Sequence, residues 1–318
     1  MLTTPVVRCM ARQLVGCELH FLTKPAFEGI IASNPYVSKV HLLDDDLQQT
    51  IRKLKNEKFD FIVDLHHNLR SKRVLMGLGV SGSAFPKLNI EKWLLVNLKW
   101  NRMPDMHIVD RYFKTVESFG VRYDGEGLDY FIPEKDRIDL SALPESHRNG
   151  YVAMVIGAQH ATKRMPSLRL KELAAKLNLP VLLLGGNDDY LSGEVIVQGN
   201  ESNVINLCGK YNLNQSASLV HDARVVITHD TGLMHIASAF RKKIISLWGN
   251  TVPDFGMTPF VPDGVGASYI FEVEGLKCRP CSKIGYDKCP KGHFKCMMDM
   301  NLDNVARKAH DLFYENSI

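Results

Sequence analysis

From residue 151 onward, short apolar runs alternate regularly with helical stretches, and this alternation most tightly limits what the chain can fold into. The order is strand 151–158 (YVAMVIGA), helix 168–178, strand 180–186 (PVLLLGG), helix 188–198, strand 203–209 (NVINLCG), helix 212–223, strand 224–230 (RVVITHD), helix 231–242 and strand 243–249 (KIISLWG). Continuous β-branched and leucine-rich runs belong to strands covered on both faces, so this half predicts a doubly wound parallel sheet in an α/β protein. The first half follows a similar rhythm, with strands at 17–23, 37–43 and 59–66, helices around 25–33 and 45–58, and a mostly helical region at 90–119. Residues 129–150, with two prolines and many charges, read as the connection between two lobes. A chain of 318 residues fits two domains of roughly 150 residues each, and two doubly wound domains facing a cleft would hold ligands at the carboxyl ends of their strands. The expected division is 1–147, 148–300 and a terminal helix at 301–318 that packs back on the amino-terminal domain.

The two halves begin differently. The second opens on a strand, the first on the helix of MLTTPVVRCMARQLVG, where Thr4 reads as N-cap, Pro5 as first helical residue and Gly16 as stop. This difference predicts that a leading strand is absent from the amino end.

Charge decides little: 39 basic and 35 acidic side chains give a net charge of +4, too balanced for a nucleic-acid binder and no obstacle to anionic ligands. No apolar run approaches the roughly 20 residues of a membrane span. Seven cysteines, an odd number, and no signal-like leader make the cytoplasm the expected compartment. No G-x-G-x-x-G follows a first strand, which disfavours a nicotinamide-dependent oxidoreductase.

The richest stretch is RVVITHDTGLMHIASAF. A buried strand ends at Asp230, and Thr231 and Gly232 open a helix whose first N–H groups and dipole suit a diphosphate. Gly232 allows close approach, Thr231 adds a hydroxyl, and His235, one turn on, can touch the same ligand or orient Asp230. Asp230 would repel a phosphate, so it binds sugar hydroxyls or pairs with a lysine; the bland alternative is an ordinary Asp/Thr cap on a buried helix. In the loop after the first strand of this half, Lys163 and Arg164 precede Pro166 and a helix, and their cations can reach the same sheet edge.

ATKRMP, LLLGGNDD, DTGLMHIASAF, SLWGNTVP and CRPCSKIGYDKCPKGHFKCM, in that order, resemble the ADP-heptose:lipopolysaccharide heptosyltransferases, glycosyltransferase family 9. The resemblance implies a GT-B architecture of two Rossmann-like domains, with the nucleotide sugar on the carboxyl-terminal lobe and a lipopolysaccharide inner-core acceptor, lipid-linked or as core oligosaccharide, on the amino-terminal one. It implies catalytic roles for Lys163 and Asp230 and donor binding by Lys163, Arg164, Asp230, Thr231, Gly232, His235, Gly249 and Thr251. The implied reaction transfers heptose from ADP-heptose with inversion and requires no cofactor or bound metal, though a divalent cation could stimulate it. LLDDD (42–46) reads instead as the cap of the helix that follows.

In the family, a "TTP" helix follows a strand and a Gly-Asp turn whose aspartate is the proposed base; neither stands before Thr3 here, so no general base is identified. The runner-up expectation is therefore a family member, or truncated form, that binds donor with impaired catalysis. For the acceptor, His66, His67, Asn68 and Arg70 in DLHHNLRS lie at the productive strand edge, whereas Arg111 and Tyr112 read equally as structural. In EKWLLVNLKWNR (91–102), Trp93, Val96 and Trp100 form one apolar side and Leu94, Leu95 and Leu98 another, consistent with core packing or with peripheral contact at the inner face of the inner membrane. Cys278, Cys281, Cys289 and Cys296 give C-x2-C-x7-C-x6-C, which reads as a zinc set or as packed, reduced thiols.

Overall fold

A computed structural model describes residues 1–262 and 266–315. The chain divides into two compact units, one of Met1–Asn89 with Asp105–Phe131 and one of Ile90–Pro104 with Ile132 onward. The boundary thus falls near the start of the proline-containing connection, between Phe131 and Ile132, rather than near its end, and the helix around residue 95 belongs to the second unit.

The first unit contains α1 (Thr4–Gln13), β1 (His20–Thr23), β2 (Lys39–Leu42), α2 (Leu47–Lys55), β3 (Ile62–Asp64), α3 (Leu69–Leu78) and β4 (Gly82–Ala84). A further helix, α4 (Asn89–Leu98), leads into the second unit, and α5 (Ile108–Phe113) returns to the first. The strands form two separate parallel pairs, β1 with β2 and β3 with β4. Helix α1 starts at Thr4, one residue earlier than expected, and the Thr4 hydroxyl donates to the Met1 carbonyl (2.8 Å) instead of capping. Asp46 does cap α2, accepting from the Gln48 N–H at 2.9 Å. Ile51, Leu54 and Val74 of α2 and α3 pack with Leu22 and Phe59 into a small apolar core.

The fully buried Arg8 is the larger organiser. Its guanidinium reaches both carboxylate oxygens of Asp124 at 2.8 Å, Asp129, and the Gly127 carbonyl at 2.9 Å. This fork ties α1 to the loop 124–129, sequence-distant parts that apolar contact alone would leave loosely positioned.

The second unit runs β5 (Val152–Val155), α6 (Ser167–Leu177), β6 (Val181–Leu184), α7 (Tyr190–Val197), β7 (Val204–Asn206), α8 (Leu213–Asp222), β8 (Val225–His229), α9 (Gly232–Ala239), β9 (Lys243–Trp248), β10 (Ala267–Glu272) and α10 (Leu302–Tyr314). Its six strands form one parallel sheet in the order β10-β9-β8-β5-β6-β7. Along β5, β6 and β8 successive residues enter opposite cores: Val152, Met154, Val181, Leu183, Val225 and Ile227 on one face, Ala153, Val155, Leu182, Leu184 and Val226 on the other. Covering both faces is what makes these runs apolar without alternation.

Helix α10 places Leu302, Val305, Ala306, Ala309, Leu312 and Phe313 in the first of these cores, against α6. Its apolar stripe closes the second unit's own sheet.

Candidate active site

At the carboxyl end of β8, the Asp230 carboxylate stands between two loops. Its Oδ2 accepts from Lys163 Nζ at 2.6 Å and from the Thr251 hydroxyl at 3.1 Å. The structure therefore brings together Lys163, Asp230 and Thr251 from the loops after β5, β8 and β9. Of the two roles open to Asp230, pairing with a lysine is the one observed. The pair is only partly exposed, at 17% and 12% of the two side chains, so its charges are weakly screened while still reachable from solvent.

Thr231 is the N-cap residue of α9, yet its side chain makes no capping hydrogen bond; its hydroxyl lies 3.3 Å from that of Thr228. Helix α9 is thus not simply closed by an Asp/Thr cap, and its first-turn N–H groups keep their affinity for an anion. Gly232 is exposed, and a Cβ built there would meet no protein atom within 4 Å. The helix end beside Lys163 therefore has room in front of it.

Other expected donor residues sit differently. Arg164 turns to Asp189, Nη1 to Oδ1 at 3.2 Å. His235 is buried on α9, one turn in from its start. At Gly249 a Cβ would come within 2.6 Å of Met297 and 2.8 Å of the Thr162 carbonyl, so close packing already requires this glycine. A cavity of about 200 Å³ is lined by residues including Ile156, Arg164, Met165, Leu170, Asp189 and Phe294, and its lining contains neither Lys163 nor Asp230.

Two positioning residues are not evident from the sequence. His229 is buried at the end of β8, and its Nε2 accepts the Met165 N–H at 3.0 Å, which clips the Lys163 loop to the strand that carries Asp230. Burial lowers its pKa to about 4, so the ring stays neutral and the acceptor nitrogen available near neutral pH. Arg279, inside the cysteine-rich segment, donates to the carbonyls of Gly249, Thr251 (2.8 Å) and Val273 (3.0 Å) and to Glu272 (2.7 Å). It thereby fixes the loop that supplies Thr251.

The cysteine segment also braces the Lys163 loop, because the Thr162 hydroxyl accepts the Tyr286 N–H at 2.8 Å and the Thr162 N–H donates to the Tyr286 carbonyl at 3.0 Å. All four cysteines are free, and among the described residues no three of their sulfurs converge to within ligand distance of one another. Burial raises the thiols of Cys281 and Cys296 to about 11, so they are held as neutral thiols.

In the first unit, buried Asp64 at the end of β3 organises the DLHHNLRS loop. It accepts from the N–H groups of His66 (3.0 Å) and His67 (2.7 Å) and from the Ser71 hydroxyl (2.7 Å). Asn68 caps α3 in a reciprocal box with Ser71, which occupies its carbonyl oxygen. The His67 ring bonds to the Phe85 carbonyl at 2.9 Å, while His66 and Arg70 are exposed. Arg111 and Tyr112 are buried, Tyr112 edge-on against Phe85, and so belong to the core rather than to an acceptor surface. On α4, Leu95 and Val96 pack with Val252 and Phe255, leaving Ile90, Trp93, Leu98 and Trp100 exposed.

Compared with known proteins, residues 47–285 match the model of glycosyltransferase family 9 (heptosyltransferase), most of the chain. The chain belongs to glycosyltransferase family 9. Among curated proteins it is similar to lipooligosaccharide heptosyltransferase 2 of Haemophilus influenzae, 32% identical over 157 residues, 47% of this chain and 43% of that one. The chain thus spans under half the length of the curated relatives it first matches. Among solved structures it resembles the E. coli ADP-heptose lps heptosyltransferase II (TM-score 0.73, 17% identity, 98% of this chain and 94% of that one) and E. coli heptosyltransferase WaaC with ADP (TM-score 0.67, 17% identity, 98% and 95%). These likenesses show the GT-B fold.

Proposed function

We propose that this family 9 chain is a heptosyltransferase whose second unit binds an ADP-sugar, with the diphosphate at Lys163 and the N-terminus of α9, and transfers its heptose to a lipopolysaccharide inner-core acceptor. The observation that carries the reading is the uncapped, open α9 terminus beside the Lys163–Asp230–Thr251 cluster. An acceptor hydroxyl oxygen would form the new bond to the anomeric carbon as the bond from that carbon to the β-phosphate oxygen breaks, inverting the centre. The electron pair leaves with ADP, and Lys163 with the α9 N–H groups stabilises the charge that builds on it. The hydroxyl proton passes to a base, to which no residue is assigned.

Asp230 then serves as a positioning residue that orients Lys163, and Thr251 holds Asp230 in turn. His66 and Arg70, with the free amide nitrogen of Asn68, are the groups offered to an anionic acceptor sugar. With cationic and dipolar groups supplied by the protein, the step calls for no metal, and activity is expected to survive chelation by EDTA. No helix of the described residues is long and apolar enough to cross a membrane; the exposed Trp93 and Trp100 of the α4 region would rest against the inner face of the inner membrane, where a lipid-linked acceptor is presented.

The test is transfer from ADP-heptose to a purified inner-core acceptor, run beside thermal melts with ADP and with NAD. Stabilisation by ADP with product formation is the expected result. Binding of ADP without transfer would favour a donor-binding protein, and stabilisation by NAD alone would overturn the reading.

A further inference from the structure

In the first unit, His20 on β1, His41 on β2 and Glu57 after α2 form a group with no part in the proposed transfer. Among the described residues they are the one set of three histidine, cysteine or acidic side chains whose ligand atoms all lie within 4.8 Å of one another. The parallel register that pairs His20 with Lys39 and Leu22 with His41 sets the two histidines two residues apart on one face of the strand pair. Phe59 stands edge-on to both rings, at 5.2 and 6.2 Å between centroids, and walls them on one side.

The hydrogen bonds set the ring nitrogens for ligation. His20 Nε2 lies 3.1 Å from Glu18 Oε1 and its Nδ1 lies 3.0 Å from His41 Nε2. In the tautomer that donates from His20 Nε2 to the Glu18 carboxylate, Nδ1 of His20 carries the lone pair and accepts from His41 Nε2. Lys39 occupies Glu57 Oε1 at 2.6 Å, and the other carboxylate oxygen lies 3.9 Å from His20 Nδ1. Metal–nitrogen and metal–oxygen bonds of about 2.0–2.2 Å at tetrahedral angles put neighbouring ligand atoms about 3.3–3.6 Å apart, a spacing bracketed by the two found here.

We propose that His20, His41 and Glu57 bind a divalent transition metal of the zinc class, with Glu18 as the carboxylate that orients His20 from outside the coordination sphere. Two imidazoles and one carboxylate suit zinc, nickel, cobalt or copper over magnesium or calcium. A carboxylate accepting the far N–H of a ligating histidine is the usual support for such a ring. Binding moves the His41 proton from Nε2 to Nδ1, so both histidines remain neutral ligands, and three protein ligands leave a fourth position for water or a small anion. The Lys39 ammonium competes for the charge of Glu57 and therefore weakens the site.

The experiment is a titration of the full chain with Co²⁺ and Zn²⁺ under reducing conditions, followed by calorimetry and, for cobalt, by visible absorption. The expected result is one equivalent with a tetrahedral-type cobalt spectrum lacking a thiolate charge-transfer band, which separates this site from the four cysteines. His20→Ala and His41→Ala should each weaken binding by about 100-fold and Glu57→Gln by about 10-fold, the range by which mutation of even the outer-shell partners of a metal site lowers its affinity. Lys39→Met should tighten it. Circular dichroism melts establish that each variant is folded, and His41→Asn repeats the test should the alanine variant unfold. Absence of a binding equivalent, affinity unchanged in His20→Ala and His41→Ala, or a spectrum dominated by thiolate ligation overturns the proposal.

Discussion

The two units hold themselves together by different means. The second buries Val152, Leu183, Val226 and Ile245 on the two faces of a continuous six-stranded sheet. The first has two short strand pairs, a small apolar core around Ile51, Leu54 and Val74, further buried apolar residues such as Val6, Val109 and Val116 outside any continuous sheet, and a buried guanidinium that fastens α1 to Asp124 and Asp129. Apolar burial is non-directional and sums over many residues, whereas an ion-pair fork is directional and concentrated in one side chain. The second unit should therefore tolerate single changes as graded losses, and the first should fail at a few polar points.

Arg8→Met tests that contrast most severely. It leaves Asp129 without its cation and Asp124 with only Arg12, at 3.4 Å, and removing one partner of a buried ionic group costs about 3–5 kcal/mol. Hydrogen exchange should show loss of protection within residues 1–131 while β5 to β9 stay protected; a uniform loss across both units would break the distinction. Leu183→Ala, in the second unit's core, should cost about 2–5 kcal/mol by transfer and cavity terms, read as a lower melting transition for that unit with the first unit's exchange unchanged.

The pH dependence sharpens the same comparison, because His229 sits inside the second unit. Its folded pKa of about 4 lies below the ordinary histidine value of 6.5, so the unfolded chain binds the extra proton between these values. The contribution is fully present above about pH 6.5 and is lost as pH falls toward 4, up to about 3 kcal/mol. Denaturant melts of wild type and His229→Gln across that window should converge as the pH drops, and parallel curves would contradict the assignment. Asn68→Ala removes the α3 cap and should cost the least, about 1 kcal/mol, measured as faster exchange at the start of that helix.

Legibility in the sequence follows the same division. Strands covered on both faces announce themselves as unbroken apolar runs, so β5, β6, β8 and β9 emerge within three residues of their observed ends. Strands β1 and β2 are only partly buried, which leaves their runs mixed and their ends uncertain. Strand β4 (GSA) carries too little apolar pattern to be read at all, and β10 (ASYIFE), only partly buried, is not among the strands expected from the sequence. Glycine at 232 and threonine at 231 mark the α9 terminus, and ATKRMP marks the lysine, because small, hydroxyl and cationic residues stand out where an apolar strand gives way to a helix. His229 escapes notice because a histidine closing an apolar strand resembles a surface end; its signal is its place directly before Asp230. Arg8 escapes for a related reason, since only the buried residues on every side of it, Val6, Val7 and Cys9, distinguish it from a solvated basic residue. The metal-ligand geometry of His20, His41 and Glu57 depends on strand register, which a single sequence does not contain.

The most direct measurement is a calorimetric titration of ADP into the wild-type chain and into Lys163→Met at neutral pH. Loss of the charge-assisted contact to the diphosphate should weaken ADP about 10- to 100-fold, with the melting transition of the second unit largely retained. Equal affinity in the two proteins would contradict the placement of the diphosphate at Lys163 and the α9 terminus.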